Sequence, residues 1–289
     1  MNHLAAQASG PATTAIVRKK VIEAFGRHGV KLTKIDATTL KTDDGHHVTL
    51  ENLTARCVGA PRRYWDEIVE IHVATMLESQ RLSDPQYLLN MPDDEFYMRL
   101  RERVTAPSAL PGRGDFRYSS PLVDAPNSPR RVLNLTFPDL ALTLEGRYLE
   151  NRDLEAAWAF GRDNTAAMTF DDRETLTKDD VTIDVCKGDS IYLASKVANM
   201  PTLIADHLGD SPFGVLFVVP NAYEIDYYKP FEFDATVRAS TLLVQLARIF
   251  SRDTPNPLSQ DLYFWRDGQY CQVNGSSSAD LFERTLAEL

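Results

Sequence analysis

Apolar residues recur at helical spacing early in the chain. Val17, Val21, Ile22 and Phe25 predict one face of a helix that follows a flexible tail over 1–14 and stops at Gly29. Three short strands are expected next, over 30–35, 38–42 and 47–50, with a tight turn at Asp43-Asp44-Gly45. Pro61 stands where a helix takes its first residue. Trp65, Ile68, Val69, His72, Val73 and Met76 give that helix a wide apolar stripe. A further helical stretch is expected over 93–103.

Beyond residue 130 strands come in runs with helices beside them. Strands are expected over 132–137 and 141–144, then a helix over 153–168 carrying Leu154, Trp158 and Met168. A strand over 181–186 leads to a helical region, 191–208, interrupted by Pro201 and closed by Gly209. The run Gly214-Val215-Leu216-Phe217-Val218-Val219 has no polar face. It therefore predicts a central strand covered on both sides and ended by Pro220. Val197, Leu203 and Ile204 are expected to cover one side. The helix over 235–250, through Leu242, Val244, Leu246 and Phe250, covers the other side or meets the first lobe. The stretch 224–229 reads as an antiparallel neighbour. A hairpin over 262–273 turns at Asp267-Gly268, and a helix over 279–289 follows.

Between 107 and 129 prolines, glycines and serines replace large apolar residues. That stretch predicts a linker between an N-terminal lobe, 15–106, and a C-terminal lobe, 130–289. Strands in runs without regular βαβ alternation predict an α+β protein, each lobe a mainly antiparallel sheet packed with helices.

Composition narrows the function. The 289 residues are 43% hydrophobic and 25% charged, values of a folded chain. The net charge of −10 repels phosphate backbones and anionic lipid, which argues against nucleic-acid and membrane-surface partners. Arg18-Lys19-Lys20 reads as the solvated face of a helix. Cys57, Cys186 and Cys271 are too far apart for a zinc ribbon and odd in number, so they read as buried hydrophobes. The first residues lack a signal-peptide pattern and no apolar run is long enough to span a membrane, which predicts a cytoplasmic protein.

Tyr192 and Lys196 match the Tyr-x-x-x-Lys pair of short-chain dehydrogenases, but no glycine-rich strand-to-helix turn exists to hold a nicotinamide. Asp43, Asp44, His46 and His47 collect metal-ligand types at a hairpin turn, where neighbouring histidines point to opposite faces. They read as turn residues. Asp206-His207 reads as a polar helix end. Asp171-Asp172 and Asp179-Asp180 read as a polar loop and solvated edge, and Arg113-Gly114-Asp115 resembles an integrin-binding tripeptide that no export signal supports. Walker, nucleophile-elbow and His-Glu-x-x-His patterns are missing. No metal and no cofactor is expected.

Several segments resemble a bacterial family known as domain of unknown function 1444. They are Leu133 to Asp139 with Asp153-Leu154 and the 158–168 helix, then Gly188-Asp189 through Ala194-Ser195 to the 214–221 strand. Pro257-Leu258-Ser259, Leu262-Tyr263 and Asp267-Gly268 extend the likeness, and Val48 to Leu53 is in the same style. Where the family often carries a polar-Asp pair after Val-Pro, this chain has Asn221-Ala222-Tyr223-Glu224. The resemblance implies an intracellular bacterial protein and supplies no reaction, cofactor or catalytic residue.

Two functional classes follow. The first is a non-catalytic protein-binding role, as an adaptor or accessory protein of the immunity type. The second is a hydrolase or transferase whose site is assembled from Asp139, Asp189, Asn221 and Glu224, all at expected strand ends or turns.

Overall fold

Helix α1 (Pro11–Arg27) buries Val17, Val21, Ala24 and Phe25. Ile22 is exposed, because at 100° per residue it falls off the stripe that Ala24 completes. The computed structural model describes residues 11–43, 45–112, 114–138, 140–252, 254–274 and 279–289. The helix thus starts inside the expected tail, with a proline in its first turn, and 1–10 lie outside the described residues. The chain is a mixed α+β protein of antiparallel sheets packed with helices, in two compact units, Met1–Asn90 and Met91–Leu289.

The first unit holds an antiparallel sheet in the order β1 (Leu32–Lys34), β2 (Thr39–Thr42), β3 (His47–Thr49). Of the turn between β2 and β3, Asp44 lies outside the described residues, and Gly45 takes a φ of 98°, which suits glycine. Helix α2 (Glu51–Val58) is absent from the sequence expectation; eight residues are too few to display a period. Pro61 precedes a 3-10 turn, Arg62–Tyr64, that leads into α3 (Trp65–Leu82). His72 and Met76 of the expected stripe are only half-buried. Helix α4 (Pro85–Leu89) is capped by the Asp84 side chain, which accepts from the Gln86 amide. Between α1 and α3, Lys20 pairs with Asp66, and Arg27 and His28 with Glu70.

In the second unit the helix expected over 93–103 ends early. α5 (Asp93–Arg99) gives way to β4 (Leu100–Thr105), where burial alternates at Leu100, Glu102 and Val104. β4 pairs along its whole length with β6 (Arg130–Phe137). This pairing draws 100–105 into the second unit and moves the division to Asn90/Met91, away from the expected linker over 107–129. That stretch belongs to the second unit. It carries β5 (Ser120–Pro121), paired with β6, and buries Leu122 and Val123 in the core. β7 (Leu140–Thr143) pairs with β6 on its other edge. Helix α6 (Leu154–Ala166) packs on β4, where a Cβ at Gly161 would approach Leu133 Cδ2 to 2.6 Å.

A second sheet of six antiparallel strands runs in the order β13, β12, β10, β11, β9, β8. The ranges are β8 (Asp172–Lys178), β9 (Val181–Lys187), β10 (Val215–Val218), β11 (Glu224–Tyr228), β12 (Tyr263–Arg266) and β13 (Gln269–Gln272). β8 replaces the polar loop expected at 171–180. It is a solvated edge strand without apolar alternation, and Asp179 and Asp180, with φ of 51° and 61°, form the tight turn into β9. Strand β10 is central, as its unbroken apolar run predicts. Val215, Phe217 and Val219 enter one core, with Val197, Leu203 and partly buried Ile204. Leu216 and Val218 enter the other, under α8 (Phe233–Phe250) through Leu243 and Leu246. The region 191–208 is compound: a 3-10 stretch over Leu193–Asn199, α7 (Met200–Leu203) and one π turn ended by Gly209 at φ 75°. Helix α9 (Asp280–Leu286) packs Phe282 on Phe264 of β12.

Candidate functional site

Three strand ends and one helix end of the six-stranded sheet meet around an open cavity of about 370 Å³. Asp171 and Asp172 come from the start of β8, and Lys187, Gly188 and Asp189 from the end of β9. Asn221, Tyr223 and Glu224 come from the β10–β11 turn, and Phe250 and Thr254 from the end of α8. The structure therefore brings together Asp189, Asn221 and Glu224, which sequence reasoning singled out. Asp139, the fourth candidate, lies outside the described residues.

The local backbone is held tightly. Asp171 Oδ2 accepts from the Asp189 amide at 2.8 Å, and the Gly188 amide donates to Tyr223 O at 3.1 Å. A Cβ at Gly188 would collide with Asp171 Oδ2 and reach 2.6 Å from Leu193 Cδ1, so this close approach requires glycine. Asn221 is buried and ties the turn together. Its Nδ2 donates to Glu224 Oε2 at 3.2 Å and to Phe250 O at 3.3 Å, and its Oδ1 accepts from the Tyr223 amide at 2.9 Å. Pro220 breaks the ladder just before it, as an imino nitrogen must.

Charge is unbalanced here. Among the described residues, Asp171, Asp172, Asp189 and Glu224 line the cavity against one cation, Lys187, and Lys187 is already paired with Glu174. That pairing with Glu174 raises the Lys187 pKa, and the charges of Glu224 and Asp172 add to it. Registers Glu224↔Lys187 and Lys187↔Asp172 place these three on one face of the sheet.

Behind Glu224 on that face sits Asp226, which no sequence signal marked. It is fully buried, and no donor reaches either carboxyl oxygen; the Glu224 side chain is the neighbour to which a protonated Asp226 would donate. Burial, and then the charge of Glu224, push its pKa well above the usual carboxylate range, so the neutral acid is favoured. Its alternating neighbours Ile225 and Tyr227 are core residues, which is why an acid in the strand reads simply as an exposed position.

The other sequence candidates resolve as structural. The Tyr192 hydroxyl meets Thr136 Oγ1 at 2.7 Å, whereas Lys196 donates to the carbonyls of Ala166 and Met168, so the two do not form a catalytic pair. Burial lowers the Lys196 pKa. Lys196, Asp206 and His207 border a closed space of about 10 Å³, room for about one water. His207 Nδ1 faces Arg173 at 2.8 Å rather than Asp206. All three cysteines are buried and unbridged, and burial pushes the thiols of Cys186 and Cys271 up to about 11. Among the described residues no three His, Cys, Asp or Glu side chains are arranged to hold a metal ion, and no helix is long and apolar enough to cross a membrane. No family model matches the chain, and neither a curated protein nor a solved structure is similar to it.

Proposed function

We propose that the second unit is a recognition module whose cavity takes a basic side chain, ammonium or guanidinium, from a protein partner. The carrying observation is the excess of four carboxylates over one already paired lysine around a 370 Å³ cavity. A cation there exchanges water for several charged acceptors, and Tyr223 and Phe250 line the same cavity. This supports the protein-binding, adaptor-type role over catalysis, and it takes nothing from the family resemblance. The buried, unbridged thiols suit a reducing compartment, in keeping with a cytoplasmic protein.

The test is calorimetric titration of the full chain with a short, end-capped arginine peptide. Saturable binding that weakens with salt is expected, and Asp189→Asn/Glu224→Gln should weaken it about tenfold. The control, Asp179→Asn/Asp180→Asn, removes equal charge at the far end of the β8–β9 hairpin and should leave binding near wild type. Equal binding by all three proteins overturns the reading.

One observation favours the second, acid–base class. Glu224 lines the cavity, and Asp226, whose burial favours the neutral acid, lies behind it on the same strand face; two neighbouring carboxyls are the usual parts of acid–base hydrolysis. Hydrolysis of a chromogenic ester or phosphoester that disappears in Glu224→Gln would move the conclusion to a hydrolase.

A further inference from the structure

The first sheet of the second unit carries a second unbalanced surface, of the opposite sign. Arg101 and Arg103 alternate along β4, so both project to one face, away from Glu102 and Val104. Register places Arg101 directly opposite Asn134 of β6, and Arg103 opposite Val132. Thr136, two residues beyond Asn134 on the same face, meets the Tyr192 hydroxyl.

On the other face the arginines have a carboxylate partner: Arg131 of β6 and Arg162 of α6 share the buried Glu102. Arg101 and Arg103 have none among the described residues, in a chain with ten more acidic than basic groups. Arg101 spends one nitrogen on the carbonyls of Met98 and Leu100, at 3.1 and 2.7 Å. Arg103 reaches Asn256 Oδ1 at 3.3 Å, while its Nε is buried without a partner. Burial lowers the pKa of both guanidinium groups, the mark of charge held partly out of water without an anion beside it. Asn134 is the independent observation. It is fully buried, and neither its amide nitrogen nor its amide oxygen has a hydrogen-bond partner. A buried amide with both ends unmet costs free energy unless a ligand or water completes it.

We infer that Arg101, Arg103 and Asn134 form a site for a hydrogen-phosphate group, free or carried by a small phosphomonoester. The guanidinium groups and Asn134 Nδ2 donate to the anionic oxygens. Asn134 Oδ1 accepts from the P–OH, which inorganic phosphate keeps near neutral pH and a phosphomonoester keeps only as its monoanion, below about pH 6. A carboxylate or sulfate supplies the charge but no such donor. The site lies on a different sheet from the acidic cavity, and Arg103 meets that cavity's border through Asn256, which donates to the Tyr223 hydroxyl.

Calorimetric titration of the full chain with inorganic phosphate, and with sulfate at matched ionic strength, reads this directly. Saturable phosphate binding is expected, with sulfate about tenfold weaker or more. Arg103→Gln should weaken phosphate by a similar factor. Asn134→Asp is nearly isosteric and places a carboxylate opposite Arg101 where the ligand anion would sit. That variant should stay folded by circular dichroism and lose phosphate binding. Glycerol phosphate against inorganic phosphate then separates an ester ligand from the free ion. Phosphate binding that is absent, matched by sulfate, or unchanged in both Arg103→Gln and Asn134→Asp overturns the inference.

Discussion

Asp226→Asn is the most informative single change. The side chain keeps its shape, loses its titration, and sits where no donor reaches either oxygen. Burial and the Glu224 charge raise the folded-state pKa above the unfolded value of about 3.9. Below that value both states hold the proton and stability owes nothing to it. As pH rises, the unfolded chain releases its proton first while the folded chain keeps it. The folded state then binds more protons, so stability falls with rising pH, by up to about 1.4 kcal/mol per pH unit, until the folded group also ionises. Asparagine removes this slope. Its amide can still donate toward Glu224 but leaves its oxygen unmet, at a cost of about 1–3 kcal/mol. Urea denaturation of both proteins at about pH 5, 6 and 7 isolates the effect, because other titrating groups cancel in the difference. The stability of the variant relative to wild type should climb with pH above the unfolded value, by up to about 1.4 kcal/mol per pH unit, until the folded Asp226 ionises. A difference that stays flat would show that Asp226 is charged in the folded protein and that its surroundings are wrongly read.

Val218→Asp should be severely destabilising. Val218 is fully buried beneath α8 and lies directly opposite Asp226, so the variant sets a second acid across from a buried one. Lost burial of about 1.5–3 kcal/mol adds to the desolvation of a carboxyl, and a soluble variant with an unchanged melting curve would displace the core assigned here. Asn221→Ala, read from sequence alone as a mild turn substitution of about 1 kcal/mol, should cost more, roughly 2–3 kcal/mol. It removes three hydrogen bonds at a buried position, and chemical denaturation against wild type measures it.

The sequence alone determined those elements whose physical signal is local. The run over 214–219 has no polar face, so a covered central strand was its only stable placement, and the cores on both sides of β10 bear this out. Gly209, Pro220 and the Asp267-Gly268 turn act through their own backbone and were legible for the same reason. Asp189, Asn221 and Glu224 were marked only as polar residues at strand ends; their meeting in one cavity depends on pairings between β8, β9 and β11. Tertiary structure decided the rest. Leu100–Arg103 reads as helix because Arg-Glu-Arg spacing suits either period, and only the ladder to β6 selects the strand. The same ladder sets the unit boundary, because strand partners far apart in sequence outweigh a proline-rich stretch between them. It also sets Arg101 against Asn134, while burial beside Glu224 makes Asp226 favour the neutral acid. Burial and cross-strand neighbours are properties of the folded chain, and a residue's own chemistry does not encode them.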